Sequence, residues 1–163
     1  MDAAFGETLI GLLPNLRRYA ISLSRQADVA DDLVQITVER ALVNHASYDP
    51  GKRFEPWLFR ILRNAYIDMT RRKRTQGAQL DVFDMPDIVS TDGAAVVETR
   101  LMLRSALAAM DTLPVEQRDI LHLVCIEELS YAETAEVLGI PKGTVMSRLA
   151  RARLALSEKL GIK

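Results

Sequence analysis

Thr144, Ser147, Arg148 and Arg151 recur at offsets of three, four and seven, a spacing that places them on one face of a helix. Their types suit the major groove of duplex DNA. Arginine donates two bonds to the O6 and N7 edge of guanine, worth about 1–3 kcal/mol of discrimination, and Ser and Thr bond base edges or phosphates. Lys142 and Thr144 fall at the start of this helix, where backbone N–H groups favour an anion such as phosphate. The opposite face carries Val145, Leu149, Ala152 and Leu156, at offsets of four, seven and eleven. Bond-breaking chemistry has no comparable pattern. No serine–histidine–acid set, Gly-rich phosphate loop or histidine ligand pair is present, so the chain reads as a non-enzyme without cofactor. Asp81, Asp84 and Asp87 lack the turn glycine and convergence of an oxygen-ligand loop, so no metal site is expected. His122 reads as an ordinary residue, and Cys125 as a small core residue of an apolar stretch.

The elements that position the cationic helix follow from its flanks. Ser130 followed by Glu133 is a capping box that starts a helix. Ala132, Ala135, Val137 and Leu138 supply its packing positions, Gly139 supplies the left-handed turn that ends it, and Pro141 starts the next helix. This is the grammar of a helix–turn–helix, in which the start of the second helix reads bases. Upstream, Pro114 opens a helix through residues 113–128, and another is expected around 96–110.

In the first half, Pro14 opens a helix with Leu16, Ala20 and Leu23 on one face. Asp28 is the expected N-cap of the next, whose apolar stripe is Ala30, Leu33, Val34, Thr37, Val38 and Ala41. Its other face shows Asp31, Asp32, Gln35 and Glu39. After a turn-rich loop over 45–53, Pro56 opens a helix striped by Trp57, Leu58, Ile61, Leu62, Ala65 and Met69, with Arg60, Arg63, Asn64 and Arg71 facing away. No strand alternation is convincing. The expected fold is all-α, in two small helical domains.

The chain has 163 residues, 48% hydrophobic and 26% charged, enough for a soluble fold with a core. Its net charge of −1 by itself predicts no polyanion partner, but the charge is unevenly spread. Residues 1–74 hold 12 basic and 9 acidic side chains, residues 75–99 hold 5 acidic and none basic, and residues 141–163 hold 6 basic and 1 acidic. Two basic patches thus flank an acidic segment with Gly77 and Pro86 that reads as a flexible linker. On charge alone, solvated helix faces explain the patches as well as a nucleic-acid partner does. No stretch approaches the roughly 20 apolar residues of a membrane span, and no secretory signal is visible.

Four stretches, DDLVQITVERAL at 31–42, FEPWLFRILRNAYIDMTRRKR at 54–74, LPVEQRDILHLVCIEELSYAETAEVLGIPKGTV at 113–145 and SRLARAR at 147–153, together resemble the extracytoplasmic-function (ECF) class of bacterial sigma factors. The last two alone fit several helix–turn–helix regulators; the four in this order are specific. The resemblance implies a sigma-two domain over 1–74, an acidic linker over 75–95 and a sigma-four domain over 96–163. It implies a cytoplasmic bacterial protein that binds core RNA polymerase, through the β′ clamp and β flap, and directs promoter-specific initiation. Its further expected partners are promoter DNA and an anti-sigma factor, and stress-responsive control is expected.

Residue by residue, Asp31, Asp32, Gln35 and Glu39 match the helix that docks on the β′ clamp coiled coil. Asn64 matches the position that helps hold an unstacked base of the minus-ten element, with Arg60 and Arg63 placed for phosphates beside it. Ser47, Tyr48, Lys52, Arg53 and Phe54 match the specificity loop that cups a flipped-out base. Extruding a base costs a few kcal/mol, and stacking on Tyr48 and Phe54 would return about 1–3 kcal/mol per base. Trp57 is assigned to the core. Lys142, Thr144, Ser147, Arg148, Arg151 and Arg153 match the recognition helix for the minus-thirty-five element. Met146 departs from the family, which more often has Lys or Arg there. Two other readings use the same residues: a sigma mimic that sequesters an anti-sigma factor without binding DNA, and a helix–turn–helix repressor or activator, for which no dimerisation segment is apparent.

Overall fold

The computed structural model describes residues 3–75 and 97–161, which form eight α-helices and no strand. The expected linker, with Asp81, Asp84 and Asp87, lies outside the described residues apart from Thr75. The first group comprises α1 (Ala3–Gly11), α2 (Leu13–Ser24), α3 (Ala27–Val43) and α4 (Phe54–Thr75). The second comprises α5 (Val97–Asp111), α6 (Val115–Leu121), α7 (Tyr131–Leu138) and α8 (Lys142–Leu160).

Helix α2 keeps Pro14 in its first turn and buries Leu16, Tyr19, Ala20 and Leu23. Helix α3 is capped two residues earlier than expected. Extended Gln26 takes the cap position and Asp28 sits in the first turn, where its charge suits the helix dipole instead of capping it. Helix α4 starts at Phe54, because a proline is tolerated anywhere in a first turn whose N–H groups have no intrahelical acceptor. Its buried stripe includes Phe54, Pro56 and Phe59 besides the expected Leu58, Leu62 and Ala65, while Trp57, Ile61 and Met69 are half-buried. The stripe is broad because α4 is packed by α2 and α3 on one side and by α7 on the other. Phe59 meets Tyr19 edge-on at 5.3 Å. Helix α1, which the periodicity does not announce, adds Leu9 and sets Phe5 against Phe54 (5.2 Å) and Trp57 (6.0 Å).

In the second group, α6 does not run through residue 128. A single wide π turn, His122–Ile126, closes with the Glu127 amide donating to the His122 carbonyl at 3.0 Å. The extra residue breaks the 3.6 period, so His122 and Leu123 are buried and Cys125 is exposed, contrary to its expected core position. The helix–turn–helix forms as its sequence dictates. Ser130 Oγ accepts from the Glu133 amide (3.0 Å), and Glu133 Oε1 accepts from the Ser130 amide (2.8 Å). Gly139 takes φ +66°, a left-handed conformation that favours glycine, and Pro141 is the extended cap of α8. Ala132 is exposed and Thr134 is buried in its place, its hydroxyl donating to the Ser130 carbonyl at 2.8 Å.

The two groups pack on one another, α2 against α6 and α4 against α7. Among the described residues, no helix is long and apolar enough to cross a membrane.

Candidate nucleic-acid interface

Helix α8 divides its side chains sharply. Val145, Leu149 and Ala152 are buried against α5, α6 and α7, while Lys142, Ser147, Arg151 and Arg153 are exposed and Thr144 and Arg148 are half-buried. Ser147 Oγ donates to the Thr144 carbonyl at 3.1 Å, holding the hydroxyl close to its helix. Met146 is exposed on the same helix, an uncharged position among these cations. The fold therefore sets Thr144, Ser147, Arg148 and Arg151 on the side of α8 away from its buried face, with Lys142 and Arg153 on its flank.

A second set lies on α4 and the loop before it. Arg60 and Asn64, one turn apart, are both exposed. Ser47 is exposed in a short 3₁₀ turn, His45–Ser47, and its Oγ donates to the Asn44 carbonyl (2.7 Å). Tyr48 is half-buried, its hydroxyl donating to the Lys52 carbonyl (2.8 Å) and its ring against Phe54 (4.8 Å) and Trp57 (5.3 Å). Phe54 is buried beneath that ring, so the loop is held on an aromatic base made of Phe5, Phe54 and Trp57. A cleft of about 330 Å³ runs between this loop and α7, bordered by Tyr48, Lys52, Arg53, Trp57 and Arg60 on one side and Ala132, Glu133 and Glu136 on the other.

A third set, Asp31, Asp32, Gln35 and Glu39, forms an exposed face of α3 as expected. Arg17 Nε donates to Asp31 Oδ1 at 3.0 Å, and Gln35 Nε2 to Glu39 Oε1 at 3.5 Å.

Sequence reasoning missed a polar seam between the two helix groups. Arg63 does not face solvent: it is half-buried and donates to Asp119 Oδ2 at 2.9 Å, while the buried Tyr19 hydroxyl donates to Asp119 Oδ1 at 2.6 Å. Burial, reinforced by the Asp119 charge, pushes Tyr19 well above the ordinary phenol range, so it remains a donor. Beside it the ring of His122, far from ordinary, stacks on Tyr19 at 5.4 Å. Its Nε2–H donates to Glu127 Oε2 (2.8 Å), whose other oxygen accepts from Arg18 (2.9 Å) and Asn15 (3.2 Å). The signal in the sequence was a set of polar residues, Arg118, Asp119, His122 and Glu127, interleaved with the apolar positions of residues 113–128.

Burial pushes the Glu127 carboxyl up, but hydrogen bonds from His122 and Arg18 and their charges outweigh it and hold the group below its ordinary value. A carboxyl lowered in the folded state contributes stability above its unfolded pKa, about 4.3, and loses it as pH falls through the folded value. Glu127→Gln is therefore expected to flatten the acid limb of the stability profile below about pH 4.3, measured by urea unfolding at stepped pH. An unchanged slope would show that Glu127 does not carry that dependence.

Comparison with known proteins fits this geometry. The family model "Sigma-70 region 2" matches residues 10–76, and "Sigma-70, region 4" matches residues 103–156. The chain is 40% identical over 154 residues to the ECF RNA polymerase sigma factor EcfG of Rhodopseudomonas palustris, covering 94% of this chain and 83% of that one. It is 32% identical to SigW of Bacillus subtilis, over 80% of this chain and 75% of the relative. The sigma factor RpoE of Bartonella quintana, crystallised in complex with the anti-sigma factor NepR, superposes with a TM-score of 0.81 over 99% of both chains at 33% identity. CnrH, in complex with the cytosolic domain of CnrY, superposes with a TM-score of 0.68 at 28% identity, covering 97% of this chain and 88% of that one.

Proposed function

Since the chain belongs to the ECF sigma factors of bacterial RNA polymerase, we propose specific roles for its surfaces in promoter-directed initiation. The exposed face of α8, with Lys142, Thr144, Ser147, Arg148, Arg151 and Arg153, reads the minus-thirty-five element as duplex DNA. The α4 surface and its preceding loop engage the melted minus-ten strand. There, Arg60, Arg63, Lys52 and Arg53 take phosphates, Asn64 takes a base edge, and Ser47 and Tyr48 form the rim of a base pocket built on Phe54. Asp31, Asp32, Gln35 and Glu39 dock on a basic surface of the β′ clamp, as charge complementarity favours. The second helix group meets the β flap. The proposed domains are residues 1–74 and 96–163, joined by the acidic segment 75–95. Catalysis and its magnesium belong to the polymerase, the site of action is the bacterial cytoplasm, and an anti-sigma factor holds the chain inactive, a reading supported by the complex of RpoE with the anti-sigma factor NepR.

The observation that carries this reading is the division of α8: a fully buried Val145–Leu149–Ala152 face fixes a cationic face on a helix–turn–helix. The chain's exposed acidic α3 face adds a separate polymerase contact, which a plain repressor does not need. The test is retention of promoter DNA on immobilised core polymerase. The chain and core together are expected to hold the fragment, and neither alone. Tight operator binding by the chain alone, without core, would favour the repressor reading.

A further inference from the structure

Beside its polar residues, α8 carries an exposed apolar strip. Met146 is 51% exposed. Gly143, three residues before it, and Ala150, four after, adjoin it on the helix surface, and both are exposed. A Cβ added at Gly143 would meet nothing within 4 Å, so the surface there is low and open. Ser147 lies four residues after Gly143 and three before Ala150, and joins this strip to Thr144 and Arg151. We infer that Met146 is a specificity residue: it reads thymine in the minus-thirty-five element by apolar contact with the C5 methyl group, over the low ground that Gly143 and Ala150 leave. The inference rests on the role proposed above for α8.

In the major groove each base pair shows a different edge, and the C5 methyl group marks thymine there. An apolar side chain is its ordinary partner, because the contact removes two apolar groups from water. Position favours Met146 for this use. A recognition helix reads bases with its first turns, and Met146 lies about 6 Å along the axis from Lys142, the first residue of α8. In a helix a long side chain leans toward the N-terminus, here over the turn that Gly143 leaves bare. The thioether chain has no donor for guanine, and it is soft and adaptable enough to settle on a methyl group. Lys142 stands one turn before Met146 on the same flank. A phosphate contact there fixes the register of the helix but carries no sequence information, so discrimination on this flank falls to Met146.

The test crosses a methyl deletion in the DNA with a side-chain deletion in the protein. Uracil keeps the hydrogen-bonding edge of thymine and lacks only its methyl group. Promoter fragments carry uracil in place of each thymine of the minus-thirty-five element in turn, on either strand, and their affinity for the full chain with core polymerase is measured. With the wild-type chain, at least one uracil substitution is expected to weaken binding roughly three- to fivefold, the worth of one buried methyl group. With Met146→Ala, the thymine and uracil fragments at that position are expected to bind equally, as a coupled pair requires. Met146→Lys supplies a donor for guanine O6 and N7 instead, and is expected to abolish the uracil effect and to favour G·C at the same base pair. Leu154→Ala removes the other exposed apolar side chain of α8, 62% exposed and eight residues farther on, and is expected to leave the uracil effect in place.

A uracil effect that persists unchanged in Met146→Ala overturns the inference, as does its absence with the wild-type chain or its equal loss in Leu154→Ala. Met146 lies outside the buried face of α8, so truncating it leaves the packing of the helix intact. The role proposed above is judged separately, by whole base-pair changes in the minus-thirty-five element. If those weaken binding while no uracil substitution does, only the inference about Met146 falls. If binding by the wild-type chain ignores the base-pair changes as well, the proposed role of α8 falls with it.

Discussion

Reversing the charge of both Arg148 and Arg151 is expected to lower transcription from the chain's own promoters at least about a hundredfold, with its hold on core polymerase intact. Arg151 is exposed and Arg148 half-buried on α8, away from its buried face. Each bidentate arginine contact to guanine is worth about 1–3 kcal/mol, so losing two removes about 2–6 kcal/mol before any repulsion from the new carboxylates is counted. A tenfold change in affinity corresponds to about 1.4 kcal/mol, which makes a hundredfold loss the conservative expectation. The buried face of Val145, Leu149 and Ala152 is untouched, so the helical content should be unchanged by circular dichroism. Run-off transcription and gel filtration with core polymerase measure the two effects separately. A sigma mimic would tolerate both reversals, because sequestering an anti-sigma factor needs no base reading. Retained function in the double variant would therefore move the assignment to that class.

Replacing Arg118 by Ala is expected to cost the protein about 3 kcal/mol, the largest stability effect of any single polar side chain here. Arg118 is buried, and all three of its donor directions end on backbone carbonyls. Nε donates to Ser22, Nη1 to Leu113 (2.9 Å) and Nη2 to Leu23 (3.3 Å). Ser22 and Leu23 lie in the last turn of α2, whose carbonyls have no intrahelical donor. One guanidinium thus caps a helix of the first group from within the second, and its charge complements that helix's C-terminal dipole. Burial, followed by the nearby Arg25 charge, lowers the Arg118 pKa from its usual value, so the interaction is not free of cost. Three carbonyls stripped of a donor at about 1 kcal/mol each still dominate the balance. For a chain of this length the melting temperature should drop by about 6–12 °C. Arg118→Lys should not restore it, since a single ammonium cannot span three carbonyls in fixed directions. A melting temperature within about 2 °C of wild type would contradict this account of the seam.

How far the sequence made this legible varies by element. The helix–turn–helix was readable in detail because its signals are local: a capping box at Ser130 and Glu133, a left-handed Gly139, a proline cap and a repeating apolar face all agree. Stripes on α2 and α3 were readable for the same reason, since one buried face leaves a clean period. Phe59 escaped because α4 is packed on two sides, which widens its stripe. Cys125 was misplaced because one π turn shifts the register, and no residue type announces such a turn.

The seam was the least legible part. Its contacts join residues about a hundred positions apart, Tyr19 to Asp119 and Arg18 to Glu127, and no local period encodes such pairs. Arg63 looked like a free cation on a polar face because the sequence shows its helix and not the second group packed against it. The same blindness hid the ion pairs of Lys52 with Glu136 and of Arg53 with Glu133. Resemblance to a family supplied the expected chemistry of those residues; only the fold shows what holds them in the packed state.

The most direct test of the central claim is to sequence the transcripts made from a genomic promoter library by core polymerase of the same organism, with the purified chain as the only added subunit. The account predicts start sites preceded by two shared boxes at a fixed spacing, absent without the chain and lost with the Arg148 and Arg151 reversals. Stable binding to core without any promoter-directed transcript would contradict it.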